Sequence, residues 1–293
     1  MSTDTIDQAH SQKIRSIPYW SGSISLRPLA GGITNRNYLV EQGPDRFVAR
    51  VGAELPHLGI DRRNEIECHH AAESLGVAPK ILFGANGVLV SRYIESRTLC
   101  PTGGREPGFA PRLAALLRQL HDGWDTLHGD LLFFSPFQAA RTYTQTALRT
   151  GAQLPPDIDQ LLNSLRQLSR TIAPYIPTLC HNDMLPANVL DDGERVWLVD
   201  WEYAGMGHPL FDLAMFSACC EFSEDQEIDF LGHYLGEQPR PQQLRELRVL
   251  KAASLVREGL WAVVQTVASD LDFDYHEYAR SSFDKFRSAV AKL

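Results

Sequence analysis

The 293-residue chain has little of what marks a secreted, membrane-spanning or nucleic-acid-binding protein. Its five cysteines (Cys68, Cys100, Cys180, Cys219, Cys220) are odd in number and form no Cys-x-x-Cys pair, and neighbouring Cys219 and Cys220 are badly placed to bridge each other. That pattern argues against a disulfide framework or a zinc site and for a reducing cytoplasm. No apolar run approaches bilayer-spanning length, and the polar start Met1-Ser-Thr-Asp-Thr-Ile-Asp does not read as a signal peptide, so membrane insertion is not expected. A basic excess is missing as well: 28 Lys and Arg stand against 36 Asp and Glu, a formal net charge of −8. Nucleic acid is therefore not an expected partner, because phosphate-backbone binding needs a basic face. The acidic balance permits a cationic ligand, although bulk charge mainly serves solubility. Two nucleotide motifs are also lacking, the Walker loop with its Gly-Lys-Ser/Thr and the Gly-x-Gly-x-x-Gly fingerprint. There is no internal repeat or low-complexity tract.

What is present reads as an ordinary globular chain, 44% hydrophobic and 22% charged, long enough for one large domain or two medium ones. The first third alternates short strands with turns. Ile24 to Leu29, Asn37 to Glu41, Phe47 to Val51, Lys80 to Phe83 and Val88 to Tyr93 read as strands, with hairpin-length links that suggest an antiparallel sheet. One helix is expected from about Asp61, stopped by Gly76 and followed by Pro79. After a stretch rich in Gly, Pro and Thr (Ser96 to Gly108), helical periodicity takes over, first through Leu113, Leu116, Leu117 and Leu120. It continues over Ile158 to Ile172, Ile228 to Leu235, Gln242 to Ala268 and Tyr275 to Val290. A β island at Asn188 to Leu190 and Arg195 to Asp200 interrupts it. The expected architecture is α+β: a sheet lobe over residues 1–94 and a larger, mainly helical lobe over 95–293.

The strongest chemical signal is Cys180-His181-Asn182-Asp183-Met184-Leu185-Pro186-Ala187-Asn188, followed by a hairpin that delivers Asp200-Trp201-Glu202. Phosphoryl transfer needs a carboxylate to orient and deprotonate the attacking hydroxyl, and oxygen ligands to hold Mg²⁺ on the phosphates. Asp183 suits the first task; Asn188 and Asp200 suit the second. An Asp-x₄-Asn alone would be ordinary turn chemistry; its union with His181, the hairpin and Asp200 is what makes it specific. Gly31, Gly32, Thr34 and Asn35 lie in a Gly-bearing hairpin that can lay N–H groups over phosphates, although such a segment by itself is more often a simple turn. Arg50 shares a strand face with Val48, where a cation could hold phosphates; a solvated edge arginine is the plainer reading of that residue alone. Glu65, Cys68, Ala72 and Leu75 fall on one helical stripe, and a carboxylate on a buried stripe needs a cation, so Glu65 is the expected partner of Arg50.

Taken in order, these residues resemble the choline/ethanolamine kinase family, related to the aminoglycoside phosphotransferases. The resemblance runs from about Leu29 to Phe283. It rests on His181-Asn-Asp-Met-Leu-Pro-Ala-Asn-Val-Leu, Val199-Asp-Trp-Glu-Tyr-Ala-Gly and Pro209-Leu-Phe-Asp-Leu-Ala, and on Gly259-Leu-Trp-Ala-Val-Val-Gln with Leu271-Asp-Phe-Asp-Tyr-His-Glu-Tyr-Ala. It implies a protein-kinase-like two-lobe fold, ATP and Mg²⁺ as cofactors, and a small amino alcohol such as choline or ethanolamine as acceptor. Thiamine, methylthioribose and aminoglycoside kinases of the same fold, and a pseudokinase without turnover, are the alternatives. By the resemblance Asp212 braces the catalytic loop with His181, and Arg92, Tyr93 and Ile94 form the interlobe connection against adenine. Glu202, Glu258, Trp261, Tyr275 and Tyr278 would build the acceptor pocket, by cation–π attraction and nearby carboxylates; core aromatics on amphipathic helices are the alternative for any one ring. Eukaryotic choline kinases typically carry Trp-x-x-Trp on this helix, whereas this chain has Glu258 at the first position.

Overall fold

The computed structural model describes residues 7–29, 35–123, 129–269 and 271–293. Strands β1 (Ser25–Leu29), β2 (Arg36–Gln42), β3 (Asp45–Val51), β4 (Ile81–Ala85) and β5 (Val88–Arg92) form one antiparallel sheet in the order β1-β2-β3-β5-β4. Alternation along β3 decides what each face does. Phe47, Ala49 and Val51 point into a cluster with Ile14, Leu26, Val40 and Val90, which turns Arg50 to the opposite face. The outer cluster is closed by α1 (Gln8–Arg15), capped by the Asp7 side chain. Nothing in the sequence pattern announces this helix, since Ile14 is its single buried residue. Across the other face lies α2 (Arg62–Ser74), started by the Asp61 side chain on Asn64 N–H. Between β4 and β5, Gly87 adopts φ +70°, and a Cβ there would sit 2.4 Å from the Gly52 carbonyl oxygen.

The second part of the chain is mainly helical: α3 (Phe109–Asp122), α4 (Pro136–Thr150), α5 (Ile158–Ser169), α6 (Pro209–Cys219), α7 (Glu224–Leu235), α8 (Pro241–Ala268) and α9 (Tyr275–Val290). Helix α8, 28 residues long, is buried at every position from Ala252 to Gln265 and packs against α4, α6 and α9. Short strands punctuate this part. β6 (Arg97–Thr98), β8 (Val189–Asp191) and β9 (Val196–Leu198) make one small sheet, and β7 (Thr178–Cys180) pairs with β10 (Gly205–Gly207). The chain passes from β5 into β6, so residues 93–96 join the two parts. The fold is thus α+β and protein-kinase-like, with a small antiparallel sheet lobe and a larger helical lobe. Among the described residues no helix is long and apolar enough to cross a membrane.

Candidate functional site

Strand β7 ends at Cys180, and the next two residues are held by one carboxylate from α6. Asp212 Oδ2 accepts the His181 N–H at 2.8 Å and Oδ1 accepts the Asn182 N–H at 2.8 Å. His121 Nε2 meets the same Oδ2 at 3.1 Å. Asn182 takes φ +61°, a left-handed conformation that Asn tolerates better than most residues. His181 Nε2 lies 2.9 Å from the Val199 carbonyl oxygen, and its Nδ1 accepts the Asp183 N–H at 3.3 Å. That pairing puts the proton on Nε2, and burial keeps the ring below its ordinary pKa and hence neutral. His121, Cys180 and Asp212 also offer ligand atoms within 4.8 Å of one another. The Asp212 oxygens are already committed to backbone N–H groups, so this trio reads as a brace.

The braced loop presents Asp183. Its carboxylate is pushed up to about 7 chiefly by burial, against the pull of Arg257. Asn188, at the end of a 3₁₀ turn (Pro186–Asn188), donates from Nδ2 to the Asp183 carbonyl at 2.9 Å and to Oδ2 at 3.1 Å. That leaves the Asn188 Oδ1 turned away from Asp183. The β8–β9 hairpin then returns Asp200, at φ +66°, whose Oδ1 accepts from Arg50 Nη1 at 2.9 Å. Burial, then the neighbouring Glu202, raises Asp200 to about 6. The Asn188 amide oxygen and the Asp200 carboxylate make an all-oxygen donor set that suits a hard divalent cation such as Mg²⁺.

The sheet lobe supplies the cations. Arg50 Nη2 pairs with Glu65 Oε1 on α2, and both side chains are out of solvent. Arg62, which the sequence pattern did not single out, is the hub beside them. Its Nη1 donates to Glu65 Oε2 at 2.8 Å and to Glu202 Oε2 at 3.1 Å, and its Nη2 donates to Asn35 Oδ1 at 2.8 Å. Asn35 closes the ring by donating to Glu202 Oε2 at 2.8 Å. Gly52 permits this approach, because a Cβ there would lie 2.3 Å from Asn35 Oδ1.

The acceptor group expected from the sequence divides in two. Glu258, Trp261 and Tyr278 come together: the Tyr278 hydroxyl donates to Glu258 Oε2 at 2.7 Å, and the Trp261 and Tyr278 rings meet edge to face. Tyr275 packs on Trp261 but sends its hydroxyl to Ser269 Oγ at 2.9 Å. Glu202 is not brought to this group, a correction to the expected pocket: its described contacts are with Asn35, Arg62 and Arg50. Its side chain leaves the hairpin toward the sheet lobe, where two buried guanidinium groups hold it. In its place stands Arg257, also unmarked by the sequence pattern. Arg257 Nη1 donates to Asp183 Oδ1 at 3.1 Å and to Glu258 Oε1, so it links the carboxylate of the catalytic loop to the carboxylate of α8. A groove of about 640 Å³ runs along α8 and α9 past Leu255 and Ser281, one helical turn from Glu258 and Tyr278 respectively.

Other expected positions fall elsewhere. Arg92 turns its guanidinium to Asp45 Oδ1 at 2.8 Å, on the exposed end of the sheet. Tyr93 donates its backbone N–H to the Arg46 carbonyl, and the Arg46 guanidinium lies over the Tyr93 ring. Ile94 follows in the link between the lobes, its carbonyl taking the Ser96 hydroxyl. Gly31, Gly32 and Thr34 lie outside the described residues. The signal for Arg257 was available: an Arg-Glu pair inside the apolar run Leu255-Val256 … Gly259-Leu260 has no route to water and needs internal partners.

The model of the phosphotransferase enzyme family matches residues 25–250. Ethanolamine kinase 2 of Rattus norvegicus is 27% identical, over 92% of this chain and 77% of its own. A solved choline/ethanolamine kinase family protein from Mesorhizobium loti superimposes with a TM-score of 0.78 at 27% identity, covering 96% of this chain and 93% of the other. The structure of LicA in complex with AMP gives a TM-score of 0.79 at 23% identity, covering 97% and 98%.

Proposed function

Because this chain belongs to the phosphotransferase enzyme family, we propose that it transfers the γ-phosphoryl group of ATP to the hydroxyl of a small amino alcohol of the choline or ethanolamine kind. The observation that carries the reading is the convergence of Asp183, Asn188, Asp200 and the Arg50–Glu65 pair from two lobes. Asp183 accepts the proton of the attacking hydroxyl. Its raised pKa makes it a better proton acceptor than an ordinary surface carboxylate, once ionised. Asn188 and Asp200 would hold Mg²⁺, which draws charge off the phosphate oxygens when bound. Arg50, kept in place by Glu65, is the cation for the nucleotide phosphates. Asn35, with the Gly31, Gly32 and Thr34 that precede it in sequence, is assigned to those phosphates, and the link formed by the Arg92 backbone, Tyr93 and Ile94 is assigned to the adenine. Glu258, with Tyr278 and Trp261, receives the ammonium group of the acceptor. Residues 1–94 and 95–293 act as the nucleotide and acceptor lobes of a cytoplasmic enzyme.

A related structure with AMP bound supports the nucleotide, and a relative named ethanolamine kinase supports this acceptor over an aminoglycoside. The test is ADP release with ATP–Mg²⁺ against choline, ethanolamine, thiamine, methylthioribose and an aminoglycoside. Stimulation by an amino alcohol, lost in Asp183→Ala with the fold intact by circular dichroism, is the expected result. Equal turnover by Asp183→Ala would defeat the mechanism; stimulation by the aminoglycoside alone would defeat the acceptor assignment.

A further inference from the structure

Arg257 is 1% exposed and sits between the two carboxylates at the acceptor end, Asp183 and Glu258. Its guanidinium carbon lies 4.4 Å from the Tyr203 ring centroid, so a protein cation already covers that aromatic face. Among the described residues its Nε and Nη2 have no hydrogen-bond partner, which fits a group held by charge and stacking. The other rings do not form an open box. Trp261 meets Tyr275 and Tyr278 at 67° and 75°, and its indole N–H is spent on the Tyr203 hydroxyl at 3.1 Å. A quaternary ammonium depends on aromatic faces, because its methyl shell has no N–H to donate. The polar side of the site is better provided. Glu258 Oε2 has the Tyr278 hydroxyl as its partner, and a carboxylate oxygen has a second lone pair to offer. With Asp183 ionised, Asp183, Glu258 and Arg257 together leave one net negative charge at this end of the site, matched to one cation.

We propose that Arg257 determines acceptor specificity, making this a site for an alcohol that bears a primary ammonium, whose N–H groups bond Glu258 and the Tyr278 hydroxyl, and a poor site for the quaternary analogue. The inference rests on the amino-alcohol reading above. Arg257 repels either cation, but only the primary ammonium offsets that repulsion with charge-assisted hydrogen bonds.

The experiment is ADP release by the full chain with saturating ATP–Mg²⁺, against ethanolamine, N-methylethanolamine, N,N-dimethylethanolamine and choline. The expected result is a kcat/KM that falls with each added methyl, by roughly tenfold or more across the series, carried mainly by KM. Arg257→Met, which uncovers the Tyr203 face, should narrow the ethanolamine-to-choline ratio while lowering all absolute rates, since Asp183 loses its cation. Choline turned over as well as ethanolamine by the unaltered chain overturns the proposal, and so does an Arg257→Met protein with the original ratio. Should Arg257→Met fail to fold, the methyl series on the unaltered chain decides alone. Silence with all four alcohols, while ATP still binds by calorimetry, sinks the amino-alcohol reading itself and the proposal with it; turnover that favours the methylated alcohols sinks the proposal only.

Discussion

Asp212 offers the sharpest separation between scaffold and chemistry, because it is wholly buried and yet sets the backbone that carries Asp183. Asp212→Ala deletes the acceptor of two backbone N–H groups, those of His181 and Asn182, both fully buried. Each orphaned donor costs about 1–3 kcal/mol, so alanine costs about 2–6 kcal/mol, against a total stability of about 5–15 kcal/mol. Asp212→Asn is milder. The new amide keeps one acceptor oxygen, and its NH₂ can face His121 Nε2 if that ring moves its proton to Nδ1, beside the Tyr234 hydroxyl. One backbone donor is then lost, at about 1–3 kcal/mol. At about 2–4 °C of Tm per kcal/mol for a chain of this class, asparagine should lower Tm by about 5 °C and alanine by about 10 °C or more. Turnover should suffer beyond the fold. The left-handed backbone at Asn182 carries about 1–3 kcal/mol of strain, and releasing it moves the base; a 1 Å misplacement costs on the order of 10²-fold. Scanning calorimetry and ADP release on the three proteins read both effects. Tm values within about 1 °C of one another, or asparagine falling further than alanine, would refute the brace.

Breaking the Arg50–Glu65 pair should be costly in one direction and recoverable in another. Arg50→Met strands buried carboxylates and costs about 3–5 kcal/mol, whereas Arg50→Met with Glu65→Leu should regain at least half of that by packing. Turnover stays lost in both variants, which urea melts and ADP release will show; activity returning with stability would remove Arg50 from the phosphates. A second prediction concerns pH. Between the ordinary carboxylate range and their values of about 7 and about 6, Asp183 and Asp200 hold protons in the folded chain that the unfolded chain has released. Their share of the stability of the ligand-free protein is therefore present in acid, is lost as pH climbs toward 7, and is constant above. Activity runs the other way, rising as pH passes through about 7 and Asp183 ionises. Subtracting the Tm profile of Asp183→Asn isolates that group; a difference that grows with pH would contradict the buried carboxylate.

The elements that bury one face and expose the other were legible. The five strands, α2, α3 and the long C-terminal helices announce themselves by period and by caps such as Asp61 and Gly76. α6 does not, because burial from Leu210 to Ala218 erases the polar face that gives a helix its rhythm. The pair β7 and β10 is too short to show alternation, and Gly205-Met206-Gly207 has no strand composition at all. The chemistry followed the same division. Asp183, Asn188 and Asp200 sit in loops where an acid or amide in fixed spacing stands out. Arg62 sits at the start of a polar helix, where an arginine resembles any surface residue until the fold shows what surrounds it, whereas Arg257 stands out only once its apolar neighbours on both sides are read as a buried helix. Glu202 was expected at the acceptor by resemblance; its hydrogen bonds to Arg62 and Asn35 reach residues 140 and 167 positions away, beyond any local pattern.

Asn182 and Asp200 have one further consequence, for how this sequence can drift. Both are non-glycine residues in a left-handed conformation, and each flanks or constitutes a working position. A lineage that selected stability alone would accept glycine at both, relieving the roughly 1–3 kcal/mol that a left-handed non-glycine residue costs. Asp212 would be retained in that lineage, since its loss unpairs the backbone whether or not anything is phosphorylated. Glycine at 182 and 200 beside an intact Asp212 would thus be the mark of a descendant that kept the fold after giving up the reaction.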